Sequence, residues 1–225
     1  NYPQLGKDLV KVMNALGIGV GLLDDERCCS IAMVSNGLIK AATKNARHNV
    51  NIMEKTVEKT GAPIVGASST CIMTMRDEYP HLLGIDNSRV RDSLDLATKF
   101  IFKKISEGKK LNFRKDFHAR IAYHTPCHLE RLGWEYFSIE LLKMIPGVEL
   151  TVLESNCCGI AGTYGFKKEN YEVSQTIGRP LFEQIAAVGP DFVACDCETC
   201  KWQIEMSTGV SVKHPVSVLA EAICD

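Results

Sequence analysis

Five cysteines in the second half of the chain constrain the fold most, because they are far apart in sequence. They follow the spacing C-x29-C-C-x38-C-x2-C, from Cys127 through the adjacent pair Cys157 and Cys158 to Cys197 and Cys200. Adjacent cysteines are rarely both part of a hydrophobic core, because their side chains point in different directions. Two cysteines in a C-x-x-C motif can instead direct both sulfurs toward one metal. The spacing therefore indicates a shared metal cluster, which the fold must assemble from separate loops.

The same register occurs in the first half of the chain and indicates an internal duplication. The cysteine pair and the next motif enclose 38 residues in each half: Cys29 to Ser68, and Cys158 to Cys197. The flanks agree as well, since Ser30-Ile31-Ala32 follows the first pair where Gly159-Ile160-Ala161 follows the second. The first-half equivalent of the leading cysteine would lie upstream of the first residue. We expect this half to be truncated at its N-terminus.

Hydrophobic periodicity predicts alternating strands and helices in both halves. Strands are predicted at residues 20–23, 63–67, 120–124, 150–153 and 192–194, and helices at 3–16, 38–59, 94–105, 130–144 and in a region ending near 189. The cysteines come directly after the strands, and the loops at the carboxyl ends of parallel strands converge. We predict an α/β fold of two pseudo-symmetric Rossmann-like halves with short parallel sheets, residues 1–108 and 109–225.

Composition favours a cytosolic metal or redox protein over a secreted disulfide scaffold. The chain has 225 residues, of which 45% are hydrophobic and 24% charged, enough for a sizeable core, and its ten cysteines are clustered rather than dispersed. With a net charge of −1, the protein as a whole does not attract the negatively charged backbone of nucleic acids, and we expect no nucleic-acid partner. No run of 18 apolar residues is present in the sequence.

Soft thiolates select iron–sulfur clusters or zinc over calcium and magnesium, which prefer oxygen. Five sulfurs exceed the four positions of tetrahedral zinc and those of an ordinary cubane. The pattern therefore predicts an iron–sulfur cluster that is distorted or has a bridging thiolate. Zinc is the alternative.

The segments around these cysteines resemble the CCG, or cysteine-rich, domain family, which occurs in heterodisulfide reductases, in an iron–sulfur subunit of glycolate oxidase and in lactate-utilisation proteins. The resemblance rests on residues 124–128, 157–170 and 196–206 and extends over essentially the whole chain. It implies that the ligands of a non-cubane four-iron (4Fe-4S) cluster are Cys127, Cys157, Cys158, Cys197 and Cys200.

The segments are closer still to one branch of this family, the iron–sulfur subunits that serve anaerobic glycerol-3-phosphate dehydrogenases. That likeness implies an electron-transfer subunit without catalytic residues of its own, which passes electrons from flavoprotein dehydrogenase subunits toward membrane quinone. The implied location is cytoplasmic, peripheral to the inner face of the cell membrane. Two alternatives remain open: a thiol/disulfide reductase of the heterodisulfide reductase type, and a zinc-binding assembly module.

The first half departs from the ligand pattern. Ser30 replaces the motif glycine, and Ser68 stands where the C-x-x-C would start, which leaves Cys28, Cys29 and Cys71. Serine is a poor ligand for soft metals. We expect this half to fold like the second but to lack a four-iron cluster, so that its three cysteines form a weaker metal site or are vestigial.

One further cysteine and two histidines near the five cysteines have either a structural role or a role at the cluster. If the strand at 192–194 continues, we expect Cys195 to point away from Cys197 and to be a buried packing thiol rather than a sixth ligand. His124 and His128 flank Cys127, and each is either hydrogen-bonded to a sulfur or a structural loop residue.

Residues 99–120 form a basic segment between the halves, with eight Lys or Arg and four interleaved phenylalanines. Such a segment can lie on an anionic bilayer, where each nearby cation contributes about 1 kcal/mol. The alternative is a solvated connection with a few core anchors.

Overall fold

Six short strands form two parallel sheets in the computed structural model, which describes residues 2–224. The strands are β1 (Ile64–Gly66), β2 (Leu94–Leu96), β3 (Ala119–Tyr123), β4 (Val148–Val152), β5 (Phe192–Ala194) and β6 (Val212–Lys213). One sheet pairs β1 with β2, and the other has the order β4-β3-β5-β6, with every pairing parallel. The predicted α/β fold with short parallel sheets is confirmed.

Helices surround both sheets. They are α1 (Pro3–Ala15), α2 (Ile31–Ser35), α3 (Ile39–Thr60), α4 (Ser69–Met73), α5 (Tyr79–Leu83), α6 (Ala97–Ser106), α7 (Cys127–Leu132), α8 (Glu135–Lys143), α9 (Tyr171–Val188), α10 (Glu198–Thr208) and α11 (Pro215–Ala222). The two longest, α3 and α9, occupy equivalent places in the two halves. Each ends at a left-handed glycine, Gly61 and Gly189, because only glycine takes that conformation without a Cβ penalty.

One of the predicted elements is wrong, and two differ in their bounds. The expected strand at residues 20–23 is irregular, and two of its apolar side chains face solvent, with Val20 43% and Leu22 88% exposed. The helix expected over residues 94–105 starts three residues later, because Leu94–Leu96 form strand β2. The helix expected over residues 130–144 is two helices, because Gly133 adopts φ 66° and ends α7.

Three hydrophobic cores hold the chain together. One belongs to the first half, where Met53 of α3 packs with Tyr79, and one to the second half, where Ile185 of α9 packs with Val193. The third core is shared by both halves: α1 and α6 pack there with β3, α8 and α11. Because the halves share this core, the loops at their sheet edges have fixed relative positions.

A buried carboxylate at the end of β5 also joins the halves. Asp196 accepts hydrogen bonds from Tyr123 (2.7 Å), Ser138 (2.9 Å) and Thr98 (3.4 Å), and its backbone oxygen accepts one from Ser69 (2.9 Å). Burial raises the pKa of the Asp196 carboxyl, and the surrounding hydroxyl donors oppose that rise. The network ties the loop after β5 to helices of the first half.

The basic segment at residues 99–120 is largely paired and anchored. Five of its cations form ion pairs: Lys99 and Lys103 with Asp95, Lys104 with Glu107, Arg114 with Asp116, and Arg120 with Asp191. Its four phenylalanines are half-buried against the shared core. These contacts fit the alternative of a connection with core anchors, and contact with a membrane stays a prediction. Within residues 2–224, no helix combines the length and apolarity needed to span a bilayer.

Candidate metal centre

Three neighbouring loops carry the five predicted cysteines to the carboxyl edge of the second sheet. Cys127 begins α7 after β3, the pair Cys157 and Cys158 follows β4, and Cys197 and Cys200 start α10 after β5. Because β3 lies between β4 and β5, these loops are adjacent.

The five thiols form one contiguous network of interacting sulfurs. Cys127 and Cys157 shift each other's pKa, and so do Cys157 and Cys158. The thiol of Cys158 donates a hydrogen bond to Cys200 Sγ at 3.2 Å, and Cys200 lowers the pKa of Cys197. The fold therefore brings together sulfurs that are up to 73 residues apart in sequence.

The network is buried at one end and exposed at the other. Cys158, Cys197 and Cys200 are buried, whereas Cys127 and Cys157 are exposed. Hydrogen bonds from Cys127 and Cys158 lower the pKa of Cys157 to about 2, and a hydrogen bond from Cys200 lowers the pKa of Cys197 to about 6. Both shifts favour the thiolate, which is the protonation state in which cysteine binds metals.

Gly159 makes the turn after the cysteine pair possible. Its φ is 88°, its N–H donates to Cys157 Sγ at 3.3 Å, and its carbonyl accepts from Ser174 Oγ at 2.9 Å. A Cβ at residue 159 would lie 2.0 Å from the backbone oxygen of Ser174, and one at Gly178 would lie 2.6 Å from that of Cys158. Two glycines therefore let α9 pack directly on this turn.

Cys195 is buried, but the predicted direction of its side chain is wrong. Its Sγ lies within 4.8 Å of Cys200 Sγ and donates a hydrogen bond to the backbone oxygen of Cys197 at 3.7 Å. The prediction misjudged strand alternation, because side chains two residues apart, such as those of Cys195 and Cys197, lie on the same face of an extended chain. This sixth sulfur therefore lies beside the network and not on the opposite face of the sheet.

His124 lies behind the same sulfurs. Its side chain is 1% exposed, and a ring nitrogen and the Sγ atoms of Cys195 and Cys200 all lie within 4.8 Å of one another. Burial lowers the pKa of His124 to about 4, so the imidazole is neutral near pH 7. Neither ring nitrogen has a hydrogen-bond partner among residues 2–224.

The first half contributes a residue that sequence analysis missed. Thr70 of α4 places its Oγ1 3.4 Å from Cys197 Sγ and 2.9 Å from His128 Nδ1. Its repeat equivalent, Thr199, places its own Oγ1 3.2 Å from Cys197 Sγ. The threonine one residue before the last motif cysteine in both halves was a signal for this role.

The three first-half cysteines form a smaller network. Cys28 and Cys71 raise the pKa of Cys29, and the Ser68 hydroxyl is close enough to Cys71 to lower its pKa. The bond from Cys29 lowers the pKa of the exposed Cys28 to about 6. The pair lies in a turn like the one before Gly159, with Ser30 at φ 78°.

The donors of the two networks differ in chemistry. The second-half network offers five sulfurs, and such an all-thiol set fits a thiolate-held iron–sulfur cluster. The first-half network offers three sulfurs and the Ser68 hydroxyl, a poorer donor for soft metals.

Comparison with known proteins agrees with this chemistry. The cysteine-rich domain (CCG) family model matches residues 1–76 and 121–205. An anaerobic glycerol-3-phosphate dehydrogenase subunit from Escherichia coli (strain K12) is 53% identical over 99% of this chain and 56% of its own length. Lactate utilization protein A of an Exiguobacterium species is 31% identical over 76% of this chain and 71% of its own length. An uncharacterized iron–sulfur protein of Methanocaldococcus jannaschii is 27% identical over 97% of this chain and 44% of its own length.

The chain thus spans about half the length of the glycerol-3-phosphate dehydrogenase subunit that it matches. The family model covers well over half of the chain, in two segments that each include one cysteine pair. The chain belongs to the cysteine-rich (CCG) domain family.

Proposed function

We propose that this chain is the cluster-bearing part of an iron–sulfur electron-transfer subunit. In this proposal it passes electrons from a flavin-dependent glycerol-3-phosphate dehydrogenase toward membrane quinone. The observation that carries the proposal is the contiguous network of five thiols, which three loops present at one sheet edge. The 53% identity to a subunit of an anaerobic glycerol-3-phosphate dehydrogenase supports the substrate assignment.

The ligands in this proposal are Cys127, Cys157, Cys158, Cys197 and Cys200. When bound, the cluster would supply a one-electron redox centre; we propose a non-cubane 4Fe-4S type because five thiolates exceed the needs of a cubane. Zinc would bind as a substitute when iron is lacking. The chain's own part is to hold the sulfurs in place, since the core behind Cys158, Cys197 and Cys200 keeps water away from that side.

The exposed end of the network sets the direction from which a redox partner approaches. Cys127 and Cys157 reach the surface, whereas the other three sulfurs lie beneath it. We propose that flavoprotein subunits and quinone exchange electrons across this exposed end. The protein would then work at the inner face of the cell membrane as a peripheral component.

The first half, in this proposal, has no four-iron cluster. Its donors are Cys28, Cys29 and Cys71 with the Ser68 hydroxyl, and we assign them at most a weaker site for zinc or a smaller cluster. Disulfide reduction of the heterodisulfide reductase type needs paired clusters and an open sulfur-binding face. Three sulfurs in the first half disfavour that second function.

Anaerobic preparation with metal analysis tests the proposal. We expect about four iron atoms per chain in the second-half site and little zinc, an EPR signal on reduction, and reoxidation of the centre by a quinone analogue. Glycerol 3-phosphate with the flavoprotein subunits should reduce the centre. Zinc in place of iron would support the assembly module instead, and turnover of a disulfide substrate would support the reductase.

A further inference from the structure

His124 is a buried polar side chain without a polar partner. Its ring is 1% exposed, and within residues 2–224 neither nitrogen is hydrogen-bonded. Leaving a buried donor or acceptor unpaired destabilises the folded protein, because the group loses its hydrogen bonds to water without gaining others. Such a group in a native protein calls for an explanation, which is often an ion, a water or a redox group that the protein binds.

The backbone fixes where this ring lies. His124 directly follows β3, and its N–H donates to the Ala194 carbonyl of β5 at 3.0 Å. The ring therefore sits at the carboxyl edge of the sheet, where a ring nitrogen and the sulfurs of Cys195 and Cys200 lie within 4.8 Å of one another. An atom held among these sulfurs would be within reach of the ring.

We propose that His124 donates an N–H hydrogen bond to a sulfur of the iron–sulfur cluster and thereby raises its reduction potential. This inference rests on the cluster assigned under the proposed function. A neutral imidazole carries one N–H, and five thiols are already available as ligands, so a donor role uses the ring without a sixth protein ligand. Hydrogen bonds to cluster sulfurs stabilise the more negative, reduced state and are a principal determinant of potential. His124 is thus a positioning residue and not a catalytic one.

The test compares histidines at the two ends of the same strand. His118 immediately precedes β3 and is exposed, whereas His124 immediately follows it and is buried. We would prepare His124→Phe, His124→Asn and the control His118→Phe anaerobically. Iron and sulfide content, circular dichroism and an EPR-monitored redox titration would be measured for each variant and for the wild type.

We expect His124→Phe to keep its iron and to have a more negative midpoint potential than the wild type. His124→Asn, which retains an N–H donor, should recover part of that shift, and His118→Phe should show none. An unchanged potential in an iron-loaded His124→Phe would overturn the inference. Loss of iron from a folded His124→Phe would also overturn it, because that result identifies a ligand.

A second measurement needs no substitution. In wild-type protein labelled with 15N-histidine, pulsed EPR should detect a weak nitrogen coupling of the size typical of a hydrogen bond. A strong coupling would show that a histidine is a ligand of the cluster, and the absence of any coupling would show that no histidine contacts it. Either result would overturn the inference. The measurement does not depend on the His124 variants, so it applies even if none of them folds. Iron content and EPR of the unlabelled wild type test the proposed function separately, so the two failures are distinguishable.

Discussion

The two cysteine-pair turns have the same backbone conformation but different neighbours. Ser30 has φ 78° and Gly159 has φ 88°, both left-handed. In each turn the N–H after the pair donates back to the first cysteine's Sγ, at 3.4 Å from Ser30 to Cys28 and at 3.3 Å from Gly159 to Cys157. The turn is therefore retained in a half where the glycine is not.

The helix that packs on each turn explains why residue 159 is glycine and residue 30 can be serine. In the second half, the backbone of α9 approaches Gly159 so closely that a Cβ has no room. In the first half, α3 contacts its turn through a side chain: Asn49 donates to the Arg27 carbonyl at 2.9 Å and accepts from the Arg27 N–H at 2.8 Å. That longer link leaves space for Ser30, whose Oγ donates to the Cys28 carbonyl at 3.1 Å. A left-handed turn thus needs glycine where backbone packs against it and tolerates serine where a side chain intervenes.

The largest expected contrast between the halves is in metal content. Cys200→Ser should lose most of the bound iron, because Cys200 joins Cys158 to Cys197 in the centre of the network. Cys71→Ser in the first half should leave iron nearly unchanged. Iron per folded chain after anaerobic purification measures both, and loss of about half the iron from Cys71→Ser would show that the first site is occupied.

The next contrast concerns the turn itself. Gly159→Ser should lower the free energy of unfolding by at least about 2 kcal/mol, since left-handed backbone alone costs a non-glycine residue roughly 1–2 kcal/mol. The added Cβ also forces α9 away from the turn. Urea denaturation of the metal-free protein measures this change. Stability equal to the wild type would mean that α9 can move without cost.

A smaller effect is expected in thiol reactivity. The bond from Cys29 lowers the pKa of Cys28 from its usual range near 9 to about 6, so Cys28 is mostly thiolate at pH 8 and mostly thiol at pH 5. Its alkylation by iodoacetamide should therefore slow about tenfold between these pH values, because the thiolate is the nucleophile. Peptide mass spectrometry of the metal-free chain follows Cys28 alone. A midpoint near pH 9 would show that the hydrogen bond is absent in solution.

The smallest effect is expected from Ser30→Gly. Relief of left-handed strain is offset by the greater backbone freedom of glycine in the unfolded chain, so the free energy of unfolding should change by less than about 1 kcal/mol. The same urea titration applies, with Gly159→Ser as its matched partner. A loss much larger than this would assign the Ser30 hydroxyl a structural role beyond its bond to Cys28.

The sequence predicted the elements whose signals are local. The strand at 192–194 and the long helix after residue 38 were predicted because short apolar runs and helical periodicity are properties of the segment itself. The same local signal failed at residues 20–23, where Leu22 is 88% exposed. A strand also needs a neighbour to pair with, and periodicity within one segment carries no information about that.

Contacts between the two halves could not be predicted from patterns within one segment of the sequence. Thr70 meets Cys197 and Asp196 accepts from Thr98 because the two halves share a core, and neither contact follows from spacing along the chain. The direction of the His124 ring likewise depends on how β3 and β5 pair. The division of the chain at residues 108 and 109 stays a prediction.

The uneven exposure of the five thiols bears on how the protein matures. Cys127 and Cys157 face solvent, whereas Cys158, Cys197 and Cys200 are each 3–4% exposed beneath them. If the five proposed ligands are correct, we expect iron delivered to the folded chain to meet the two outer sulfurs first and to reach the inner three only after the start of α10 moves. Because Asp196 ties that segment to the first half, we expect the cluster to be loaded most easily before the two halves close on each other.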